Sequence, residues 1–134
     1  MTNSIAKNRN TAFQRQNGHC CYCGFKMWQK SPAEFAKAHG ISAAQARHFQ
    51  CTAEHLQARQ DGGTDRLGNI AAACLRCNNL RHARAKPPQP PEYQELVQKR
   101  LSKGKWHSLP IDCGIKRTKP PKIKFEVEHQ QARA

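Results

Sequence analysis

Residues 51–84 read CTAEHLQARQDGGTDRLGNIAAACLRCNNLRHAR, and the rest of the chain is understood from this stretch outward. Cys51 to Leu56 reads as a strand. The loop Gln57 to Gly68, with Gly62-Gly63 inside it, is too irregular for regular structure. Asn69 to Ala73 reads as a second short strand. A Cys-x-x-Cys pair, Cys74 and Cys77, follows, and a helix is expected from about Cys77 to Ala85. The proline-rich run at 87–91 ends that helix and acts as a stiff spacer.

Upstream lies a second Cys-x-x-Cys, in HCCYCG at residues 19–24. The spacing of Cys20 and Cys23 lets two thiolates of one tight turn bind a single ion, and Gly24 lets the backbone fold back around it. Together Cys20, Cys23, Cys74 and Cys77 form a four-thiolate set suited to structural, tetrahedral Zn²⁺. Such a site is closed and leaves no position for a reacting water. It is a staple. Cys21 and Cys51 are expected to be small buried apolar residues, and Cys113 has no assigned role.

Composition explains why a staple is needed. The chain has 134 residues, of which 37% are apolar, and a mean hydropathy of −0.87. That predicts one domain with tails and a small core. Lys and Arg total 23 against 9 acids, a net charge of +14. The partner is therefore expected to be polyanionic. Nucleic acid comes before a membrane surface, because no long basic amphipathic helix is visible. No apolar run reaches 18 residues, and MTNSIAKNRN lacks the apolar centre of a signal peptide. A cytoplasmic, reducing location is expected, where paired cysteines favour metal over disulfides.

Residues 1–8 are expected to be flexible, and Arg9 to Gln16 to form a short helix before a turn at Asn17-Gly18. Ser31-Pro32 looks like a cap followed by a first-turn proline, opening a helix that stops at Gly40. Ser42 caps another, over Ala43 to His48. This pair faintly resembles a helix-turn-helix. His39 is wrong for a position that motif buries, and no third helix is near, so a structural insertion is the default. Glu92 to Leu101 has the pattern of an amphipathic helix. From Ser102 the chain is basic, with a strand-like end IKFEVE at 123–128. It could wrap nucleic acid, pack on the domain or stay solvated.

The candidate chemistry sits in the central stretch. Hydrolysing a phosphodiester needs an activated water and a cation on the scissile phosphate. His55 can take a proton from water near neutral pH. Glu54 is its neighbour on a strand, so the two point to opposite faces unless a twist brings both to one cleft. Asn78 and His82 are four apart and share a helical face. Glu54, Asn78 and His82 would make an oxygen and nitrogen cage for Mg²⁺ or Mn²⁺, with other transition metals possible.

Glu54-His55, Gly62-Gly63, Asn69 and Cys74-x-x-Cys77-Asn78 resemble the HNH endonuclease family of the zinc-stapled type. The resemblance runs from about Arg9 to Lys86. It implies a small α+β chain with a ββα-metal fold: two antiparallel strands with a long loop between them, then a helix. The implied domain is 9–86, with a helical insertion at 29–49. A proline-rich linker, helix and basic tail follow at 87–134. By the same resemblance His55 would be the general base, and Asn69 would bond across the loop and hold it. Asn78 and Glu54 would be ligands of the catalytic metal, and His82 resembles an extra histidine seen one turn on in some members.

The family's activity is hydrolysis of DNA phosphodiester bonds, with RNA as the alternative substrate, and one site per chain should nick one strand. There are three departures from the family pattern. Glu54 replaces a commoner aspartate, Ala58 a frequent proline, and Arg81 a frequent lysine. Arg59, Arg76, Arg81, Arg84 and Lys86 are the candidate phosphate contacts. The rival reading is a zinc-stapled nucleic-acid-binding module without catalysis. It leaves the coexistence of Glu54, His55, Asn69 and Asn78 unexplained.

Overall fold

The computed structural model describes residues 4–110 and 113–124. Helix α1 (Ser4–Arg15) starts five residues before the expected Arg9, so residues 4–8 are helical rather than flexible. Tertiary contacts override the polar composition here: α1 lies on both central strands and buries Ala12. After it, Asn17 and Gly18 take positive φ angles of 53° and 76°. The knuckle follows. Gly24 has φ 80°, and a Cβ there would lie 1.8 Å from the Thr118 carbonyl oxygen, so no other residue fits.

Helices α2 (Pro32–His39) and α3 (Ala43–Arg47) form as their caps predict. The Ser31 side chain accepts from Glu34 N, Gly40 is left-handed, and Ser42 and Gln45 make a reciprocal capping box. Phe35, Ala36, Ile41, Ala46 and Phe49 are buried. The insertion therefore packs on the core, and its second helix has only 5 residues.

Strand β1 (Cys51–His55) pairs antiparallel with β2 (Ile70–Cys74), with Cys51 opposite Cys74 and His55 opposite Ile70. Helix α4 (Leu75–His82) follows β2 without a linker. It begins two residues before the expected Cys77, because Cys74 acts as its cap and its sulfur accepts from Cys77 N. It also ends at His82 rather than Ala85. The outer edge of β2 is completed by a side chain. Gln16 Nε2 donates to Ala72 O at 2.8 Å, and Ala72 N donates to Gln16 Oε1 at 2.9 Å.

Helix α5 (Pro90–Ser102) starts on its proline pair, a favoured first-turn arrangement, and buries Tyr93 and Val97. Its glutamines fasten it to the knuckle: Gln94 donates to Cys21 O and Gln98 to Tyr22 O, each at 2.8 Å. The basic segment after α5 also packs on the domain. Thr118 N donates to Gly24 O, Gly114 N donates to His39 O, and Ile115 is buried. Of the strand-like end at 123–128, Ile123 and Lys124 are not in a strand and the rest lies outside the described residues. Among the described residues no helix is long and apolar enough to cross a membrane.

Candidate active site

The turn at 20–23 and the β2–α4 junction bring four sulfurs together. Those of Cys20, Cys23, Cys74 and Cys77 lie within 4.8 Å of one another, and all four residues are fully buried. Cys23 and Cys74 sulfurs are 3.8 Å apart. A tetrahedral zinc with bonds of about 2.3 Å would set its sulfurs about 3.8 Å apart, so the donor set fits the ion. Four N–H groups aim at these sulfurs. Tyr22 N and Cys74 N point at Cys20, Cys77 N at Cys74, and the Trp106 indole at Cys77, all at 3.3–3.4 Å. Burial pushes the Cys23 and Cys77 thiols up. At Cys20 hydrogen bonds from neighbouring cysteines outweigh burial and hold the thiol well down. A divalent cation is what would let all four ionise together. Cys51 is different: burial pushes its thiol up to about 12, as suits an inert core residue.

Where β1 ends against α4 there is an open cleft of about 570 Å³, lined by Glu54, His55, Asn78 and His82. Glu54 has no exposed surface and is held from three sides. Its Oε2 accepts from the Tyr22 hydroxyl at 2.8 Å and from Arg81 at 3.1 Å, and its Oε1 meets His82 Nε2 at 2.8 Å. A buried carboxylate needs such partners, because leaving it unpaired would cost several kcal/mol (roughly 3–5). Asn78 donates from Nδ2 to Thr52 Oγ1 at 2.9 Å and Ala53 O at 3.1 Å. Its Oδ1 is the acceptor that remains. His55 and Glu54, though adjacent on β1, line the same cleft.

Oxygen and imidazole donors with one carboxylate suit a divalent ion that keeps waters. The Oε1–Nε2 separation of 2.8 Å is close to the ~3.0 Å edge of an octahedron with bonds of about 2.1 Å. Glu54 and His82 could share such an ion, and Asn78 lines the same cleft.

The loop between the strands is organised by Asn69. Its Oδ1 accepts from Gln57 N at 2.8 Å, and its Nδ2 donates to Gln57 O at 3.0 Å and Thr64 O at 2.8 Å. Gly63 is needed for this closure, since a Cβ there would lie 1.8 Å from Gln57 O. The loop delivers Asp65 to the imidazole: His55 Nε2 is 2.8 Å from Asp65 Oδ1, and Arg59 donates to the same oxygen at 2.9 Å. The hydrogen bond to His55, helped by Arg59, holds the Asp65 carboxyl below the usual carboxylate range.

Two of the residues expected on phosphate are engaged within the protein. Arg81, expected on phosphate, is buried and spends its guanidinium on Glu54 and on the carbonyls of His55, Leu56 and Pro88. Arg76 donates to Trp106 O and lies over the Trp106 ring at 5.8 Å, and it lines no part of the cleft. Arg59 and Arg84 are exposed and do line it. Lys86 is exposed beyond the cleft lining. Sequence reasoning missed Tyr22 and Asp65. A tyrosine inside the knuckle and an acid between Gly62-Gly63 and Asn69 were the available signals.

Residues 20–84 match the model of the HNH endonuclease family, the family that the motifs resembled. No curated protein and no solved structure matches the chain. The two-stranded antiparallel sheet, the helix that follows it and the four-cysteine cluster are those of a small α+β, ββα-metal domain.

Proposed function

We propose that this HNH domain is a divalent-metal-dependent endonuclease that hydrolyses DNA, with His55 as its general base. The observation that carries this reading is the convergence of Glu54, His55, Asn78 and His82 on one open cleft, away from the sealed sulfurs. A divalent ion at Glu54, His82 and Asn78 would supply the charge that stabilises the scissile phosphate and the departing 3′ oxygen. The chain's own residues do the rest. His55 accepts the proton of the attacking water, an effect worth ~10²–10⁴-fold in rate. Tyr22 and Arg81 fix the Glu54 carboxylate, so that Oε1 is the oxygen presented beside His82. Arg59 and Arg84, at the cleft wall, can pair with phosphates on either side of the cut. The cysteine set would hold Zn²⁺ and keep the start of α4 against the knuckle.

The test is a supercoiled plasmid incubated with the protein and Mg²⁺ or Mn²⁺. Nicked circles that DNA ligase reseals are expected, because departure of the 3′ oxygen leaves a 3′-hydroxyl and a 5′-phosphate. Cutting of RNA with intact DNA would move the substrate. Tight binding of DNA without cutting of either polymer would favour the binding module.

A further inference from the structure

With His55 as the general base, either of its ring nitrogens could act. Resting on that role for His55, we infer that Asp65 is its positioning residue: it holds the proton on Nε2 and leaves Nδ1 bare to accept the proton of the attacking water.

The contact itself fixes the tautomer. An ionised carboxylate can only accept, so at 2.8 Å the hydrogen between Asp65 Oδ1 and His55 Nε2 belongs to the imidazole. One neighbour argues the other way. Arg59 Nε lies 3.4 Å from the same nitrogen and could donate only to a bare Nε2. That contact is 0.6 Å longer than the carboxylate's, and a bare Nε2 would face the lone pairs of Oδ1 at 2.8 Å. The shorter contact decides. Arg59 has a better acceptor in Oδ1 itself, 2.9 Å from its NH2.

Asp65 is placed by more than its own loop. Its carbonyl accepts from Asn8 of α1 at 2.8 Å. The carbonyl before it, that of Thr64, accepts from Asn69 at 2.8 Å. The same Asn69 amide grips both backbone groups of Gln57, two residues beyond His55. Asn69 therefore ties the two ends of the His55–Asp65 contact together, and it acts on the base through Asp65 as well as through the loop. In the reaction the water proton passes to Nδ1 and the water oxygen bonds to phosphorus. The 3′ oxygen leaves and is protonated from solvent. The imidazolium keeps its Nε2 proton and Asp65 stays ionised. In the Ser-His-Asp triad a carboxylate likewise fixes the tautomer of the base histidine, there through the opposite ring nitrogen.

A plain surface ion pair predicts something different. The Asp65 side chain is 37% exposed, and exposed pairs contribute little to stability. The deciding readout is therefore the ring itself. In ¹⁵N–¹H correlation spectra of the zinc-loaded protein without added Mg²⁺ or Mn²⁺, His55 should carry its proton on Nε2. In Asp65→Asn the pattern should move towards Nδ1–H, because the amide can donate. The kcat on plasmid should fall by about 100-fold, with KM and melting temperature nearly unchanged. Asp65→Glu should recover part of the kcat. An Nδ1–H tautomer in the parent protein would overturn the inference. So would an Asp65→Asn variant that keeps the parental ¹⁵N pattern and kcat. If the parent cuts nothing, the nuclease reading fails on its own, while the spectra still decide the tautomer. If His55→Ala abolishes cutting and Asp65→Asn does not, the base stands and Asp65 falls.

Discussion

Helix α4 contributes to two clusters of opposite character, the four sulfurs and the open cleft, and adjacent residues divide between them. Cys77 is fully buried and joins three other sulfurs in a set with no access to water. Asn78, the next residue, lines an open cleft with His82, whose side chain is 33% exposed. The first set offers soft donors and closes on itself. The second offers oxygens and an imidazole and leaves room for a polymer. One short helix can do both because successive side chains diverge by about 100° around its axis. Tyr22 couples the two clusters: it sits between Cys20 and Cys23, yet its hydroxyl ends on Glu54 in the cleft.

The comparison predicts that damage to the first site shows in folding and damage to the second in rate. The largest effect is expected from Cys77→Ser. Structural zinc sites contribute roughly 10–16 kcal/mol, as much as the 5–15 kcal/mol that holds a typical domain together. This variant should lose both zinc and its cooperative melting transition, whereas the parent should bind close to one zinc per chain. A folded, zinc-free Cys77→Ser protein would break the distinction.

His55→Ala should do the reverse, keeping zinc, fold and DNA affinity while cutting falls ~10²–10⁴-fold. Arg81→Met sharpens the boundary. It strips a buried partner from Glu54 and should cost about 3–5 kcal/mol in chemical denaturation. The salt dependence of DNA binding should not change, since the guanidinium is buried against Glu54 and three backbone carbonyls. A shallower salt slope would return Arg81 to the interface.

Acid tests the packing around the staple separately. Burial lowers the His107 pKa to about 4, and its Nε2 is buried without a partner. The unfolded chain binds the proton at pH about 6.5 and the folded chain does not. Stability is therefore full above 6.5 and falls as pH drops towards 4, by about 3 kcal/mol from this group. The loss should be missing in His107→Phe when the two proteins are melted side by side. The smallest effect is expected from His82→Ala. The Mn²⁺ concentration that gives half-maximal cutting at saturating DNA should rise by about tenfold. An unchanged metal requirement with weaker DNA binding would make His82 a phosphate contact.

The same division governs what could be read from the sequence. The four cysteines were legible because each pair is local and chemically distinctive. That Asn78 and His82 share one cleft was legible because a helix repeats every 3.6 residues. Glu54 and His55 stood together in the chain, but strand alternation alone would send them to opposite faces, and their common cleft is set by the fold. Tyr22 reaches Glu54 across 32 residues and His55 reaches Asp65 across an irregular loop, so neither contact has a sequence period. Arg81 was misread for a related reason. Arginine in a basic helix predicts phosphate, and only the fold reveals a buried carboxylate opposite it. The start of α1 was missed because its helicity comes from docking on the sheet rather than from propensity.

The central claim is that the cleft, through an exchangeable divalent ion, does the chemistry and the staple only folds the chain. One sample can test it directly. The purified protein is treated with a mild chelator, and its zinc content, circular dichroism and plasmid-nicking rate are followed as Mg²⁺ or Mn²⁺ is added back. Retention of close to one zinc per chain and an unchanged spectrum are predicted, with no cutting until the added ion restores it. Undiminished cutting by the zinc-retaining protein before any ion is returned would contradict the claim.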